Sequence, residues 1–341
     1  MRILVTGGAG YIGSQTARRM AEAGHAVTVL DDLGRGHRAA VSDLPLVVGD
    51  VRDRALVADI LARESIEAVV HFAAFKSVEE SVADPGAYFD NNVGGTLAVL
   101  RAMADTGVRR FVFSSSCAVY GPPERSPVDE TAAVRPINAY GESKLLSERL
   151  LPWFSASHGI RSAVLRYFNA AGAAPDGSSG EDWTDAPNLI PVVLAAAAGR
   201  RPAVRIFGTD HPTPDGSAIR DYIHVLDLAA AHLAALETID ARDESLTVNV
   251  GTGVGVSVLE VLEAVRRITG RSVPALAAPR REGDPSAIWA DTTRATELLG
   301  WAATRSLDDI VASAWRWHTT HPEGYADVAD DPAPARTASA T

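Results

Sequence analysis

Short apolar runs alternate with amphipathic stretches along the first half of the chain. In the amphipathic stretches the apolar positions recur at helical spacing, and Pro152 is expected to kink or end the last of these helices. Strands and helices in regular alternation predict right-handed βαβ units, and therefore an α/β fold built on a doubly wound parallel sheet. The predicted strands are residues 1–6, 27–30, 46–48, 68–72, 111–113 and 163–167, and the predicted helices are residues 14–23, 54–63, 88–105 and 139–151.

The rhythm changes after about Gly172. The next residues are rich in Gly, Asp, Ser and Pro, which is typical of a loop, and short elements follow at less regular intervals. The elements predicted there are a loop at 173–187, an apolar helix at 189–198, a strand near 204–207, a loop at 209–216, a strand at 247–251 that returns to the main sheet, and a helix at 258–269.

This change of rhythm divides the chain. We expect a first domain over residues 1–172, with a returning segment at about 219–257, and a smaller α/β domain mainly over residues 173–325. Residues 326–341 consist mostly of Ala, Asp, Pro, Thr and Ser, have almost nothing to bury, and predict a disordered tail.

Composition and charge narrow the possible partners. The 341 residues suit one large α/β domain or two unequal ones, and the 46% hydrophobic content is ordinary. No apolar run approaches the ~20 residues that cross a membrane, and the single Cys117 has no partner for an internal disulfide, so we expect a cytoplasmic protein. A net charge of −11 argues against nucleic acid and anionic membranes as partners, but it leaves room for a small anionic ligand.

The turn after the first strand carries a glycine motif. Gly7, Gly10 and Gly13 lie between an apolar strand and a helix, where they permit a tight turn, close approach of a pyrophosphate and close helix–strand packing. Asp31 ends the second strand, where it can hydrogen-bond the ribose of an adenosine. The order of these elements predicts a Rossmann-type dinucleotide site. We expect NAD rather than NADP, because Asp31 and Asp32 would repel a 2′-phosphate.

A second group of polar residues suggests chemistry. Tyr140 and Lys144 are four residues apart on a predicted helix, so they share one face. A nearby ammonium and a positively charged cofactor ring would favour the phenolate and lower the pKa of Tyr140, which would make it a general base. Residues 114–116 are three serines at the end of a strand, where ligands of such sheets lie, and we select Ser116 as the one that hydrogen-bonds the reacting oxygen.

The glycine turn together with Ser116, Tyr140 and Lys144 resembles the extended short-chain dehydrogenase/reductase family. Further segments are similar to the UDP-glucose 4-epimerases in the nucleotide-sugar branch of that family, and the similarity extends from Met1 to about Tyr325. These segments are VHFAA at 70–74, DNNVGGT at 90–96, LRYFNAAG at 165–172, RDYIHV at 220–225 and RREGD at 280–284.

The resemblance implies reversible, NAD-dependent epimerisation at C4 of UDP-galactose and UDP-glucose through a 4-keto intermediate, with no metal. It assigns Ser116, Tyr140 and Lys144 to catalysis. It implies that the cofactor is held by Gly7, Gly10, Tyr11, Ile12, Gly13, Asp31, Asp50, Val51, Phe72, Ala73, Lys76, Asn92, Ser114, Tyr140, Lys144 and Phe168. It implies that the UDP-sugar is held by Lys76, Ser116, Tyr140, Asn169, Asn188, Leu189, Phe207, Arg220, Arg281, Asp284 and Ile288.

The resemblance also implies a homodimer, formed through the helices at 88–105 and 139–151 as a four-helix bundle.

Three other functions compete with the 4-epimerisation of UDP-galactose and UDP-glucose. One is a 4-epimerase for another UDP sugar (N-acetylated, uronic or pentose), and Ile288, which by resemblance borders the sugar 2-position, leaves this open. A 4,6-dehydratase needs acidic groups beside the serine, where this chain has Cys117 and Ala118. A non-catalytic NAD-sensing regulator would not require the Ser116, Tyr140 and Lys144 set.

Several residues of chemical interest are expected to be structural. His71 and His224 lie within apolar runs and predict hydrogen-bonded core histidines, and Cys117 predicts simple packing. Asn138 stands before the catalytic helix, where the family commonly has Ser or Thr, and Phe75 precedes Lys76, where a smaller aliphatic residue is common.

Overall fold

The computed structural model describes residues 1–183, 186–281 and 283–325. Among these residues the strands are β1 (Arg2–Thr6), β2 (Ala26–Asp31), β3 (Leu46–Val48), β4 (Ala68–His71), β5 (Arg110–Ser116), β6 (Arg161–Tyr167), β7 (Asn169–Ala171), β8 (Val204–Phe207), β9 (Ile219–Arg220), β10 (Tyr222–His224), β11 (Leu246–Val250), β12 (Val256–Ser257), β13 (Ala275–Ala278) and β14 (Ala287–Ile288).

The helices pack on and beside these strands. They are α1 (Tyr11–Glu22), α2 (Arg54–Arg63), α3 (Val78–Ala83), α4 (Pro85–Tyr88), α5 (Gly95–Thr106), α6 (Ala139–His158), α7 (Leu189–Ala197), α8 (Val225–Arg242), α9 (Val258–Thr269), α10 (Thr293–Leu299) and α11 (Leu307–Thr320). A π-helical segment, Phe89–Gly94, joins α4 to α5, and short 3-10 turns lie at Arg38–Val41 and Cys117–Tyr120.

The central sheet has the order β11-β6-β5-β4-β1-β2-β3, and every neighbouring pair of its strands is parallel. The strand order reverses between β1 and β4, which is where a doubly wound sheet opens a crevice for ligands. The predicted doubly wound, Rossmann-type α/β fold is therefore confirmed. The strand expected at 247–251 is β11, which joins this sheet beside β6 as predicted.

Alternating residues of the sheet strands fill two cores on opposite faces. Ile3 and Val5 of β1 pack with α1 and α8, whereas Leu4, between them in sequence, packs with α2 and α5. The adjacent strand β4 repeats this alternation, with Val70 in the first core and Val69 in the second. Because both faces are buried, the strands are continuous apolar runs, as parallel strands covered on both sides usually are.

The C-terminal half builds smaller layers around a third core. There α7, α9 and α11 pack together around residues that include Ile190, Val261 and Ile310. Strand β8 pairs with β13, β7 pairs with β10, and β9 lies between β12 and β14. This last sheet places Arg220 directly beside Ile288. The division of the chain into a first domain and a smaller second one stays a prediction.

Two helix boundaries differ from the sequence prediction. Helix α6 does not end before Pro152 but continues to His158. A proline inside a helix removes a single backbone hydrogen bond, and residues buried before it, such as Leu145 and Leu151, keep the helix on the core. Helix α1 starts at Tyr11 rather than at residue 14, so its first amides lie inside the glycine motif.

In the part of the chain that the structure describes, no helix is both long enough and apolar enough to cross a membrane. The tail predicted over residues 326–341 lies outside the described residues.

Candidate active site

The glycine turn after β1 is packed against backbone on two sides. Gly7 has a φ of 68°, and a Cβ on it would lie 2.4 Å from the amide nitrogen of Ala73, which follows β4. A Cβ on Gly13 would lie 2.2 Å from the carbonyl oxygen of Gly7. A Cβ on Gly10, in contrast, would have the carbonyl oxygen of Gly7, at 3.3 Å, as its nearest contact. Gly7 and Gly13 thus allow the turn to close, while Gly10 leaves space in front of α1.

The start of α1 suits a phosphate. Gly10 is its N-cap and offers no side-chain acceptor, and the first turn contains no acidic residue. The first amides of the helix and its dipole therefore favour an anion there. Ile12 packs against the core, and the Tyr11 phenol donates a hydrogen bond of 2.6 Å to the carbonyl oxygen of Gly172, which fixes the turn against the segment after β7.

Asp31 lies buried at the end of β2. Its carboxylate accepts hydrogen bonds of 2.9 Å from the amides of both Ala9 and Leu33. Burial raises the pKa of Asp31, and the two amide hydrogen bonds oppose that rise. The neighbouring Arg35 binds Glu80 at 2.6 Å, and its guanidinium carbon lies 4.6 Å from the centre of the Phe75 ring. Arg35 thus contacts the segment after β4.

The segment after β3 carries Asp50 and Val51. Arg52 forms ion pairs with Asp50 at 2.6 Å and with Asp90 at 2.5 Å, and its hydrogen bond lowers the pKa of Asp50. Val51 is buried, and a Cβ on Gly95 of α5 would lie 3.0 Å from its side chain. The two residues thus lie together between the sheet and the start of α5.

The loop after β4 is held at both ends. The amides of Phe72 and Ala73 donate to the carbonyl oxygen of Thr6, at 2.8 and 3.1 Å. Asn92, in the π-helical segment, accepts from the amide of Phe75 at 2.8 Å and donates to Ser143 of α6 at 2.9 Å. The amide of Asn92 therefore fastens this loop to the helix that carries Tyr140 and Lys144.

Each of the three serines at the end of β5 has a different partner. Ser114 donates to the phenol oxygen of Tyr167 at 3.0 Å, and Ser115 donates to Glu148 at 2.5 Å. Ser116 accepts from the amide of Ala118 at 3.2 Å, and its side chain lies near enough to the Tyr140 phenol to lower the pKa of Tyr140. Ser116 is therefore the serine of the three that influences the predicted base, and it also caps a turn; its catalytic role stays a prediction.

Tyr140 and Lys144 lie on the buried face of α6. The helix begins at Asn138, whose side chain accepts from the amide of Gly141 at 2.8 Å and so supplies the cap that Ser or Thr would supply. The ammonium of Lys144 donates to the carbonyl oxygen of Ser114 at 2.9 Å and lies 5.2 Å from the centre of the Phe113 ring. Helix α6 thus presents both side chains at the carboxyl end of β5.

The expected lowering of the pKa of Tyr140 is not produced by the protein alone. Burial raises that pKa well above its ordinary value, and the hydrogen bond with Ser116 opposes the rise only in part. Burial also lowers the pKa of Lys144 to about 7, because the ammonium is disfavoured away from water. The lowering was predicted for a site that also holds a positively charged cofactor ring, and for that state it stays a prediction.

A buried ion pair beneath the serines was not predicted from the sequence. Glu148 and Arg166 interact at 2.6 Å with both side chains about 10% exposed or less. Glu148 also binds Ser115, and Arg166 donates to the phenol of Tyr120 at 3.1 Å. Glu148 lies one helical turn beyond Lys144, so the spacing of four from Tyr140 through Lys144 to Glu148 was the available signal.

A further carboxylate joins two predicted ligand residues. Glu181 accepts from the ammonium of Lys76 at 3.2 Å and from the side-chain amide of Asn188 at 2.6 Å. Asn188 is the N-cap of α7 but makes no capping hydrogen bond with its side chain. Leu189, the first residue of α7, packs against the third core. Glu181 lies in a segment that the sequence predicts only as a loop, and nothing in its local pattern singles it out.

The remaining predicted substrate residues form pairs. The guanidinium carbon of Arg281 lies 3.9 Å from the centre of the Phe207 ring, and Arg220 forms an ion pair with Asp284. A flat ring and two arginines suit a base and a pyrophosphate respectively. The structure thus brings these four residues together in two contacts.

The surroundings of Ile288 in β14 are apolar. Ile288 is 4% exposed and shares a small core with Phe168, Val119 and Leu145 of α6. Asn169 begins β7 with an exposed side chain, and its amide donates to the carbonyl oxygen of Asp221 at 2.9 Å. Ile288 is therefore buried between the strand that carries Arg220 and the catalytic helix.

His71, His224 and Cys117 have surroundings that fit the structural roles expected of them. His71 is bound by Thr6 at 2.6 Å and by Thr96 at 3.1 Å, and burial lowers its pKa to about 3. His224 accepts from the amide of Leu226 at 3.1 Å at the start of α8. Burial raises the pKa of Cys117 to about 12, so the thiol stays protonated and is a poor nucleophile.

The site combines the glycine turn at the start of α1, Asp31 at the end of β2, and Ser116, Tyr140 and Lys144 beside β5. These features define a Rossmann-fold site of the short-chain dehydrogenase/reductase class. The comparisons with known proteins make this more specific. Residues 3–251 match the NAD dependent epimerase/dehydratase family. The chain belongs to that family.

Three relatives illustrate the similarity. A UDP-glucose 4-epimerase from Halalkalibacterium halodurans is 48% identical over 95% of this chain and 98% of its own. The crystal structure of UDP-glucose 4-epimerase from Brucella ovis in complex with NAD has a TM-score of 0.91 and 45% identity, covering 95% of this chain and 99% of that one. The Bifidobacterium longum UDP-glucose 4-epimerase in complex with NAD+ and UDP has a TM-score of 0.90 and 40% identity, covering 95% and 100%.

Proposed function

We propose that this protein is an NAD-dependent UDP-sugar 4-epimerase that interconverts UDP-galactose and UDP-glucose. The observation that carries the proposal is the meeting of Ser116, Tyr140 and Lys144 at the carboxyl end of β5, in the same sheet as the glycine turn. The relatives described above carry the name of this activity over nearly the whole chain.

The residues present fit NAD. The amides at the start of α1 and the space beside Gly10 accept the pyrophosphate, and the Asp31 carboxylate accepts from the adenosine ribose. Asp50 and Val51 flank the adenine, and the loop from Phe72 to Lys76, held by Asn92, lines the cofactor. Gly7, Gly13, Tyr11, Ile12, Ser114 and Phe168 complete the proposed cofactor site, with Tyr140 and Lys144 at its nicotinamide end.

Bound NAD supplies a hydride acceptor and then a hydride donor at C4 of the sugar. Tyr140, as phenolate, takes the proton of the 4-hydroxyl and later returns it, and Ser116 hydrogen-bonds the same oxygen. Lys144 stabilises the phenolate by its charge. Because the proton and the hydride both return to the substrate, the net reaction is an isomerisation.

Most of the substrate-binding residues contact the UDP moiety rather than the sugar. Phe207 stacks on the uracil, Arg220 and Arg281 bind the pyrophosphate, and Asp284 accepts from a ribose hydroxyl. Further contacts to UDP come from Lys76, Asn169, Asn188 and Leu189. Ile288 borders the sugar. Firm contacts to UDP and few to the sugar allow a flat 4-keto intermediate to turn over within the site.

One competing function is a 4,6-dehydratase. The residues after Ser116 are Cys117 and Ala118, in a short turn. The Cys117 thiol stays protonated because burial raises its pKa to about 12. No acid is present there to help water leave, so we favour epimerisation. Other UDP sugars remain candidate substrates, and the buried Ile288 is the residue that would discriminate among them.

We also propose a homodimer, a cytoplasmic location, and a division into an NAD-binding domain (residues 1–172 with a returning segment at about 219–257) and a mainly substrate-binding domain (173–325). The dimer would form through α5 and α6, which pack on each other. The side chain of Trp153 on α6 is 75% exposed, a large apolar surface of the kind that an interface covers.

The test combines product analysis with identification of the bound nucleotide. Purified protein supplied with NAD and UDP-galactose should form UDP-glucose, observed by NMR at the anomeric and C4 protons, and nucleotide extracted from the protein should be NAD or NADH. Absence of UDP-glucose with saturating NAD would contradict the proposed reaction.

A further inference from the structure

Glu181 is a buried carboxylate at the boundary between the two parts of the site. It lies between β7 and α7 and is 5% exposed. One partner, Lys76, follows β4 on the cofactor side, and the other, Asn188, begins α7 on the substrate side. A single carboxylate thus connects residues from loops that are far apart in sequence.

The backbone around Glu181 is fixed. Its carbonyl oxygen accepts from the indole of Trp317 at 2.9 Å. The phenol of Tyr325 donates to the carbonyl oxygen of Gly180 at 3.0 Å, and a Cβ on Gly180 would collide with the Trp317 ring at 2.5 Å. Two residues earlier, Ser179 accepts from Gln15 of α1 at 2.6 Å. The carboxylate is therefore presented from a rigid segment.

The two partners differ in what they need. Lys76 has a long, half-exposed side chain that loses rotamer entropy when it is ordered, and the ion pair with Glu181 orders it before any ligand binds. One of its three N–H donors faces Glu181, which leaves up to two for an anion. For Asn188, the hydrogen bond decides which edge of the amide faces Glu181.

We propose that Glu181 is a positioning residue that holds Lys76 and Asn188 in the geometry required to bind the UDP part of the substrate. This inference rests on the proposed function, because it assumes that the two residues contact a nucleotide. Preorganised contacts that are the same in the ground state and the transition state change substrate affinity rather than the chemical step. Loss of Glu181 should therefore raise KM and leave kcat little changed.

The test uses the NAD-loaded protein as purified and the variant Glu181→Gln, which keeps the size and removes the charge. We expect the Kd for UDP, measured by calorimetry, and the KM for UDP-galactose each to rise about tenfold, the scale of one lost charged hydrogen bond, with kcat within about threefold. In a Lys76→Ala background, Glu181→Gln should cause a smaller loss than in the parent protein, because only the part that acts through Asn188 remains.

The matched control is Asp182→Asn. Asp182 is the next residue, and its carboxylate lies 3.1 Å from His37, so it tests the loss of a neighbouring negative charge. Its variant should keep the UDP affinity and KM of the parent. Should Glu181→Gln not fold, Glu181→Asp serves instead: it keeps the charge but is one methylene too short, and it should also weaken UDP binding.

The outcomes separate the two proposals. Unchanged UDP affinity and KM in the Glu181 variants, or a fall in kcat and thermal stability alone, would show a merely structural ion pair and overturn the positioning role. If the parent protein does not convert UDP-galactose but Glu181→Gln still weakens UDP binding, the proposed reaction fails while the positioning role stands.

Discussion

Replacing Lys144 with methionine should remove activity and, at neutral pH, make the protein more stable. Lys144 is 4% exposed, and burial lowers its pKa from 10.5 to about 7. Burying the charged ammonium therefore costs folding free energy. The hydrogen bond to the Ser114 carbonyl and the contact with the Phe113 ring offset this cost only in part. Methionine has a similar length and no charge, so it avoids that cost.

The magnitude follows from the pKa shift. The unfolded chain binds the proton below pH 10.5 and the folded protein only below about 7, so protonation disfavours folding throughout that interval. At roughly 1.4 kcal/mol per unit, the penalty at pH 7 is about 4 kcal/mol. The Ser114 carbonyl loses its donor in Lys144→Met, which costs about 1–3 kcal/mol. We therefore expect a net gain of about 2 kcal/mol in the free energy of unfolding at pH 7.

The sign with pH is a second check. Between pH 7 and 10.5 the unfolded state holds more protons than the folded state, so the parent protein becomes more stable as the pH rises. The methionine variant lacks this term. The advantage of the variant should therefore be largest at and below pH 7 and should shrink by about 2 kcal/mol by pH 9.

The assay is urea unfolding of nucleotide-free protein at pH 7 and pH 9, with turnover of UDP-galactose measured on NAD-loaded samples. The control is Arg149→Met, which removes an exposed cation from the same helix and should not show this pH dependence. If Lys144→Met is less stable than the parent at pH 7, or if the difference does not narrow toward pH 9, burial does not control the charge of Lys144 and the reasoning fails.

Three further predictions concern catalysis and specificity. Tyr140→Phe should keep the fold and bound NAD but lose nearly all turnover, because only the phenol oxygen can exchange the proton; near-normal rates would remove Tyr140 as the base. Nucleotide extracted from the protein should be NAD(H), because Asp31 repels a 2′-phosphate and Arg35 is engaged by Glu80; chromatography that finds mostly NADP(H) would refute this. UDP-N-acetylgalactosamine should be a substrate about 5- to 150-fold slower than UDP-galactose, the effect of a steric penalty of roughly 1–3 kcal/mol at the stiff Ile288 side chain. Ile288→Tyr should abolish this activity and Ile288→Gly should raise it; no N-acetyl turnover in the parent or the glycine variant would exclude Ile288 as the gate.

The sequence predicted the fold well where each element carried its own signal. Strands β1 to β6 are apolar runs between glycine turns and helices, and the helix predicted at 54–63 has the bounds of α2. Of the kink or end predicted at Pro152, the end was wrong, because a proline's effect on a helix depends on the packing around it, and the kink stays a prediction. Tertiary contacts of that kind leave no mark in the local pattern.

The candidate site was predictable to the extent that its residues lie in motifs. Ser116, Tyr140 and Lys144 follow from spacing and from their place at the end of a strand. Glu181 could not be predicted in this way. Its contact with Lys76 joins segments more than a hundred residues apart, and its contact with Asn188 spans seven residues. Such long-range pairs arise only when the chain folds.

The electrostatics of the site show that the protein without its cofactor does not lower the pKa of Tyr140. With the chain's own groups, burial raises the pKa of Tyr140 and lowers that of Lys144, so both side chains are driven toward their neutral forms. Glu148 partly counters this for Lys144, since its negative charge favours the ammonium. The protein therefore keeps the phenol protonated until a further positive charge is placed nearby. Without a bound cofactor, Tyr140 is therefore in its protonated form, which cannot act as a base. Proton removal by Tyr140 thus depends on a filled cofactor site.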